Sequence, residues 1–332
     1  NDVKRLKNKS NLVVQATYIQ RNIDILNADE DKEERAVAYQ QMAEVNMKMN
    51  NQQAAISNLE SALEDVKDKP VETIKVKREI ATAYAADKKM EAAAASLLQS
   101  YELALKEGHT IEAKKSLEQL AAQYQKMNKP QQAAYHAMQQ GVLALADEIQ
   151  LPRIPAEELY DVFFRLRLDH PEIFWVVSYR YRYYQDSPNI IFVPEYLFEK
   201  NKIREHQKAM QSRVEKLARP AAKFTEWEKE KYIHDFICEN ITYDKLKKPY
   251  SHEIIGPLGQ GAGVCEGIAK SVKVLCDALG VWCVIAICGN NPEKGIKYRH
   301  TWNIVRIGGQ YYHLDATFDN TLGKHQGNAE AP

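Results

Sequence analysis

A chain of 332 residues is long enough for two domains, since single cores rarely grow beyond ~250–300 residues. Lys+Arg and Asp+Glu both total 45, which leaves no net charge to draw the chain to nucleic acid or to an anionic membrane. A mean hydropathy of −0.52 and the lack of a long apolar run exclude a membrane-spanning helix, and five cysteines without a CxxC pair argue against a disulfide framework or zinc site.

Residues 1–150 carry no tryptophan and abound in Ala, Gln, Lys and Glu, a helical composition. They also repeat. Met42-Ala43, Asn46, Ala55, Leu59 and Ala62 align with Ile80-Ala81, Tyr84, Ala93, Leu97 and Ser100, and again with Leu120-Ala121, Tyr124, Ala133, Ala137 and Gln140. Asn50, Lys88 and Asn128 fall at the turns between paired helices. Small residues let two helices approach closely and larger ones stack on the next pair. The pattern resembles tetratricopeptide repeats, although the bulky residue and glycine usual in the first helix are missing. The alternative is an ordinary antiparallel bundle. Either arrangement makes this half a scaffold or docking surface for a protein partner.

The segment 148–158, with Pro152 and Pro155, reads as a linker, and 151–225 as a lead-in to a core at 226–332. Alternation predicts a strand over 173–184, with Trp175, Val177, Tyr179, Tyr181 and Tyr183 on one face and Arg180 and Arg182 on the other. "NIIFVPEY" predicts a second strand. Tyrosine interleaved with two arginines is more simply a strand's solvated face than a nucleic-acid surface. Helices are predicted over about 197–218 and 226–240. In the second, Trp227, Ile233, Phe236 and Ile237 mark a buried stripe and His234 lies off it as a structural residue.

Cys265 to Leu279 reads as a helix, with Ile268, Val272, Leu275, Cys276 and Leu279 at steps of three and four and Gly280 as its stop. Gly259, Gly261 and Gly263 allow tight positive-φ turns in the incoming loop. Cys265 falls in the first turn, where free N–H groups and the dipole favour a thiolate. Cys276, Cys283 and Cys288 read as core. Residues 299–319 read as two strands joined at Gly308-Gly309, so that pairing numbers sum to 617. His300 and Asp315 then become diagonal neighbours on one sheet face, ~7–8 Å apart by backbone. His313 pairs with Ile304 and reads as structural. Cys265, His300 and Asp315 thus supply a nucleophile, a base and an orienting acid in chain order. By spacing alone the trio competes evenly with a core cysteine. A zinc site on Cys265 and nearby histidines lacks ligand spacing.

"GVCEG" opening a helix, "HTWNIV" on a strand and "YYHLDATFDN" after it resemble the transglutaminase-like superfamily over roughly residues 226–322, "YIHDFICENITYD" included. The resemblance implies an α+β chain: a helical array, then a papain-like domain with the cysteine helix packed on an antiparallel sheet. It implies Cys265 as nucleophile, His300 as base and Asp315 as orienting acid. It further implies acyl transfer through a thioester, by hydrolysis of a peptide or side-chain amide or by glutamine-directed transamidation. Thr317-Phe318-Asp319 departs from the family's common "TWD". Gln260 resembles the glutamine that papain-like enzymes place before the cysteine, an oxyanion role shared with the Cys265 N–H. Tyr243 and Trp302 are candidate cleft walls. No cofactor or metal is expected. The chief alternative is a silent module that keeps the fold and binds through its repeats. The chain starts at Asn1 without an initiator Met or signal peptide, and is expected to be soluble, either cytoplasmic or secreted after trimming.

Overall fold

The computed structural model describes residues 2–289, 293 and 299–325. The chain divides into two compact units, Asn1–Gly141 with Gln150–Pro155 and Tyr183–Ile190, and Val142–Ile149 with Ala156–Arg182 and Ile191–Pro332. The fold is α+β, a helical array followed by helices and antiparallel sheets.

In the first unit α1 (Asp2–Ile25) leads into α2 (Lys32–Lys48), α3 (Gln52–Asp65), α4 (Pro70–Ala86), α5 (Met90–Lys106), α6 (Thr110–Lys126) and α7 (Pro130–Leu143). Packing follows the repeated small residues: Ala43, Ala55, Leu59 and Ala62 share one core, and Ala81, Ala93, Leu97 and Leu120 the next. Asn50, Lys88 and Asn128 all take positive φ, between 55° and 61°, where each first helix turns back into its partner. Ser100, fully buried, donates to the Leu97 carbonyl and meets the Ser116 hydroxyl, so its hydroxyl is satisfied among apolar neighbours.

The segment read as a linker is ordered. It carries β1 (Ile149–Pro152) and runs into α8 (Ala156–Asp169). Leu159, Val162, Phe163 and Leu166 of α8 are buried at steps of three and four, a pattern overlooked beside the two prolines. β2 (Val176–Tyr183) and β3 (Asn189–Tyr196) follow. Trp175 precedes β2, and its indole N–H donates to the Val142 carbonyl at 3.0 Å. Tyr181 and Tyr183, on the face expected to be apolar, are exposed.

Next come α9 (Lys200–Ala218) and α10 (Glu226–Asn240), the latter opened by a reciprocal capping box between Thr225 and Glu228. Ile233 and Ile237 are buried, but Trp227, in the first turn, is 58% exposed and Phe236 only half-buried. The expected glycine loop is largely ordered: a π-helical turn at Ile255–Gln260, then β5 (Ala262–Gly263) in parallel register with β4 (Thr242–Tyr243). Of its three glycines only Gly261 takes a positive φ, 68°.

α11 (Cys265–Leu279) is the central element and ends at Gly280 with φ 73°. β6 (Cys283–Cys288), β7 (His300–Ile307) and β8 (Gln310–Leu314) form an antiparallel sheet beside it. Ile307 pairs with Gln310 across Gly308-Gly309, both at positive φ, so the register sums to 617 as expected. The second strand, however, stops at Leu314. Residues Ala316–His325 form α12, where a strand was expected through 319. Cys276 and Cys283 are buried, but Cys288 is half-buried and pairs with His300. No helix among the described residues is long and apolar enough to cross a membrane.

Candidate active site

Cys265 is the first residue of α11, after Val264 in extended backbone with no side-chain cap. Its own N–H is among those a helix start leaves without an intrahelical partner. The Val264 N–H donates to the Ser251 carbonyl at 3.1 Å, which seats this turn on Pro249–His252. Gly267 permits that approach, since a Cβ there would lie 2.1 Å from the Ser251 carbonyl oxygen.

A charged network lies under the same turn. Lys270 is wholly buried and donates to both oxygens of Glu253, at 2.9 and 3.0 Å, and its Nζ lies 3.1 Å from Glu266. Arg167 closes on Glu253 from α8, and His252 Nδ1 stands 3.3 Å from Glu266. Burial opposes ionisation of Glu266, but His252, Lys270 and Arg167 outweigh it and hold the carboxyl well below the usual range. The residue after Cys265 is thereby anchored at fixed charge.

Two ties set α11 against the sheet, one to β7 and one to β6. Asn303 Nδ2 donates to the Ala269 carbonyl at 2.9 Å, and Lys273 Nζ to the carbonyl of Cys283, the register partner of Val305. One turn forward on the helix thus corresponds to about two residues forward on the strand, consistent with ~6 Å for each. Cys265 opens the helix one turn before Ala269, and His300 opens β7 three residues before Asn303.

His300 Nε2 meets Asp315 Oδ2 at 2.6 Å. With a proton on Nε2, the lone pair is left on Nδ1, the tautomer a general base needs. Asp315 also accepts the Phe318 N–H at 3.0 Å through Oδ1, so it is the N-cap of α12. Trp302 stacks on His300 with centroids 5.8 Å apart and planes 14° off parallel, and its indole N–H donates to His313 Nδ1 at 3.0 Å. His313, expected to be structural, therefore steadies the ring that covers His300. Among the described residues no hydrogen bond joins Cys265 to His300. Catalytic hydrogen bonds are commonly long in free enzymes and tighten with substrate.

Tyr243 pairs with Gly263, two residues before the cysteine. Burial first, then the nearby Cys265 and Asp244, push its phenol up. Gln260 is exposed at the end of the π-helical turn. No group of His, Cys, Asp and Glu among the described residues is arranged to hold a metal. Reading the sequence overlooked Asn320, which is buried and donates to the carbonyls of Ile237, Cys238 and Ile241. The asparagine of "FDN" was its one visible signal.

Residues 211–316 match the model of the Transglutaminase-like superfamily. The matched stretch takes in the cysteine helix and the histidine strand and ends at the first residue of α12. A crystal structure of a TGase is 15% identical, with a TM-score of 0.29, and the match covers 47% of this chain and 48% of that one. The chain thus spans about half the length of that protein. No curated protein gives a match.

Proposed function

We propose that the protein is a thiol acyl-transfer enzyme, with Cys265 as nucleophile, His300 as base and Asp315 as orienting acid. The observation that carries this reading is the 2.6 Å His300–Asp315 bond at the start of the strand beside the helix that Cys265 opens. His300 takes the Cys265 thiol proton as the sulfur adds to a carboxamide or peptide carbonyl, and the helix-start N–H of Cys265 faces the developing oxyanion, with Gln260 as a second donor. The C–N bond breaks as His300 passes its proton to the departing amine or ammonia, which leaves an acyl thioester. His300 then takes a proton from water, hydroxide adds, and the C–S bond breaks to give a carboxylic acid and the free thiol. Tyr243 and Trp302 wall the cleft. The favoured outcome is hydrolysis of a peptide or side-chain amide, with transamidation the result where a primary amine replaces water. The helical repeats select the protein that carries the scissile bond.

The test uses p-nitrophenyl acetate as acyl donor. Peptide mass spectrometry should find the acetyl group on Cys265, and Cys265→Ala should abolish it. His300→Ala should let acetyl-enzyme accumulate, because hydrolysis then lacks its base. Methylamine that speeds loss of the acetyl group identifies an amine acceptor, and indifference to methylamine identifies water. Iodoacetamide that labels Cys265 no faster than the other four cysteines would sink the reading.

A further inference from the structure

Asp315 belongs to neither regular element. The ladder of β8 ends at Leu314, opposite Asn303, and α12 begins at Ala316. What sets the carboxylate is therefore the seating of α12, which Asp315 caps through Phe318.

That helix is tied to α10 one turn beyond Asp315. Asp319 Oδ2 meets His234 Nε2 at 3.0 Å, and Asp235 Oδ1 lies 3.2 Å from the other ring nitrogen. Asn320 donates from its amide to the carbonyls of Ile237, Cys238 and Ile241 at the end of α10, at 3.1, 3.2 and 2.7 Å. The Cys238 thiol stands 3.6 Å from His234 Nε2. Two imidazole–carboxylate pairs thus lie one turn apart at the start of α12, His300 with its cap Asp315 and His234 with Asp319.

We propose that His234, Asp319 and Asn320 are positioning residues that clamp α12 to α10 and so hold Asp315 on His300. This rests on the reading of Asp315 as the acid that orients His300. Contacts with the Cys238 thiol, Asp235 and Asp319 favour the imidazolium of His234 against its burial, so the clamp is an ion pair at neutral pH.

Two readouts test it on the whole chain. The first is the low-field proton resonance of His300 Nε2–H, assigned by its loss in His300→Ala, which reports the bond to Asp315 whether or not the protein turns over substrate. Asp319→Asn should shift or broaden this resonance while circular dichroism shows a folded protein. The second is hydrolysis of acetyl-Cys265 after p-nitrophenyl acetate, which Asp319→Asn should slow ~10–100-fold, the scale of a misplacement near 1 Å. His234→Ala should behave alike. His234→Gln, whose amide can donate from near the Nε2 position, should recover most of the loss. In the Asp315→Asn background Asp319→Asn should cost nothing more, because the clamp acts through Asp315. An unchanged His300 resonance in folded Asp319→Asn, or losses that multiply in the double variant, would overturn the clamp. Equal hydrolysis in wild type and His300→Ala would overturn the acyl-transfer reading instead, with the resonance still deciding the clamp.

Discussion

His300 and Asp315 are joined at 2.6 Å by a carboxylate whose other oxygen caps a helix. Substitutions can separate the two duties. Asparagine caps as well as aspartate, so Asp315→Asn should leave stability near wild type, whereas Asp315→Ala should cost about 0.5–2 kcal/mol. Both should slow hydrolysis of acetyl-Cys265 by ~10²–10⁴, the usual scale of a general-base contribution. Thermal melting beside single-turnover hydrolysis checks this. A fully active, less stable Asp315→Ala would reduce the residue to its cap.

The same residue marks how far sequence reading reaches. The Gly308-Gly309 turn, with both residues at positive φ, set the strand register and with it the His300–Asp315 pairing. The steps of three and four from Ile268 to Leu279 and the stop at Gly280 bounded α11. Beyond Leu314 the pattern misleads, because alternation continues through "DATFD" and the same aspartate serves in a strand or as an N-cap. What decides is the seat that Asn320 finds on α10, a contact across about 80 residues. Lys270 was invisible for a related reason. A lysine on a helix reads as solvated unless a carboxylate distant in sequence, Glu253, is known to face it.

Lys270 should be costly to remove. It is wholly buried with Glu253 at 1% exposure, and Lys270→Met deprives Glu253 and Glu266 of a shared cation. Breaking a buried pair from one side typically costs about 3–5 kcal/mol. Urea denaturation should therefore show a loss on that scale. A loss under about 1 kcal/mol would mean that Arg167 and water replace the ammonium.

Gly267 should tolerate no side chain. A Cβ 2.1 Å from the Ser251 carbonyl must push the first turn of α11 off its seat, since both partners are backbone. Gly267→Ala should destabilise by about 1–3 kcal/mol, as overpacking does, and should alter the iodoacetamide labelling rate of Cys265 two residues away. Gly280→Ala serves as the contrast, because nothing lies within 4 Å of the added carbon and only its φ of 73° is strained. It should cost about 1 kcal/mol and leave Cys265 labelling unchanged.

The clamp should also appear in stability against pH. His234 is raised from 6.5 to about 10, by the Cys238 thiol contact first and then by Asp235 and Asp319, against its burial. A histidine raised on folding contributes stability that is fully present below its unfolded value and is lost as pH climbs through the folded one. The groups around it are Glu230, Asp235 and Cys238 on α10 and Asp319 on α12. Other residues titrate in the same alkaline range, so the informative quantity is the difference between wild type and His234→Gln. The melting temperature of wild type should exceed that of the variant at pH 6–7, and the gap should close towards pH 10. A gap that stays constant across this range would show that His234 acts by packing alone, without its charge.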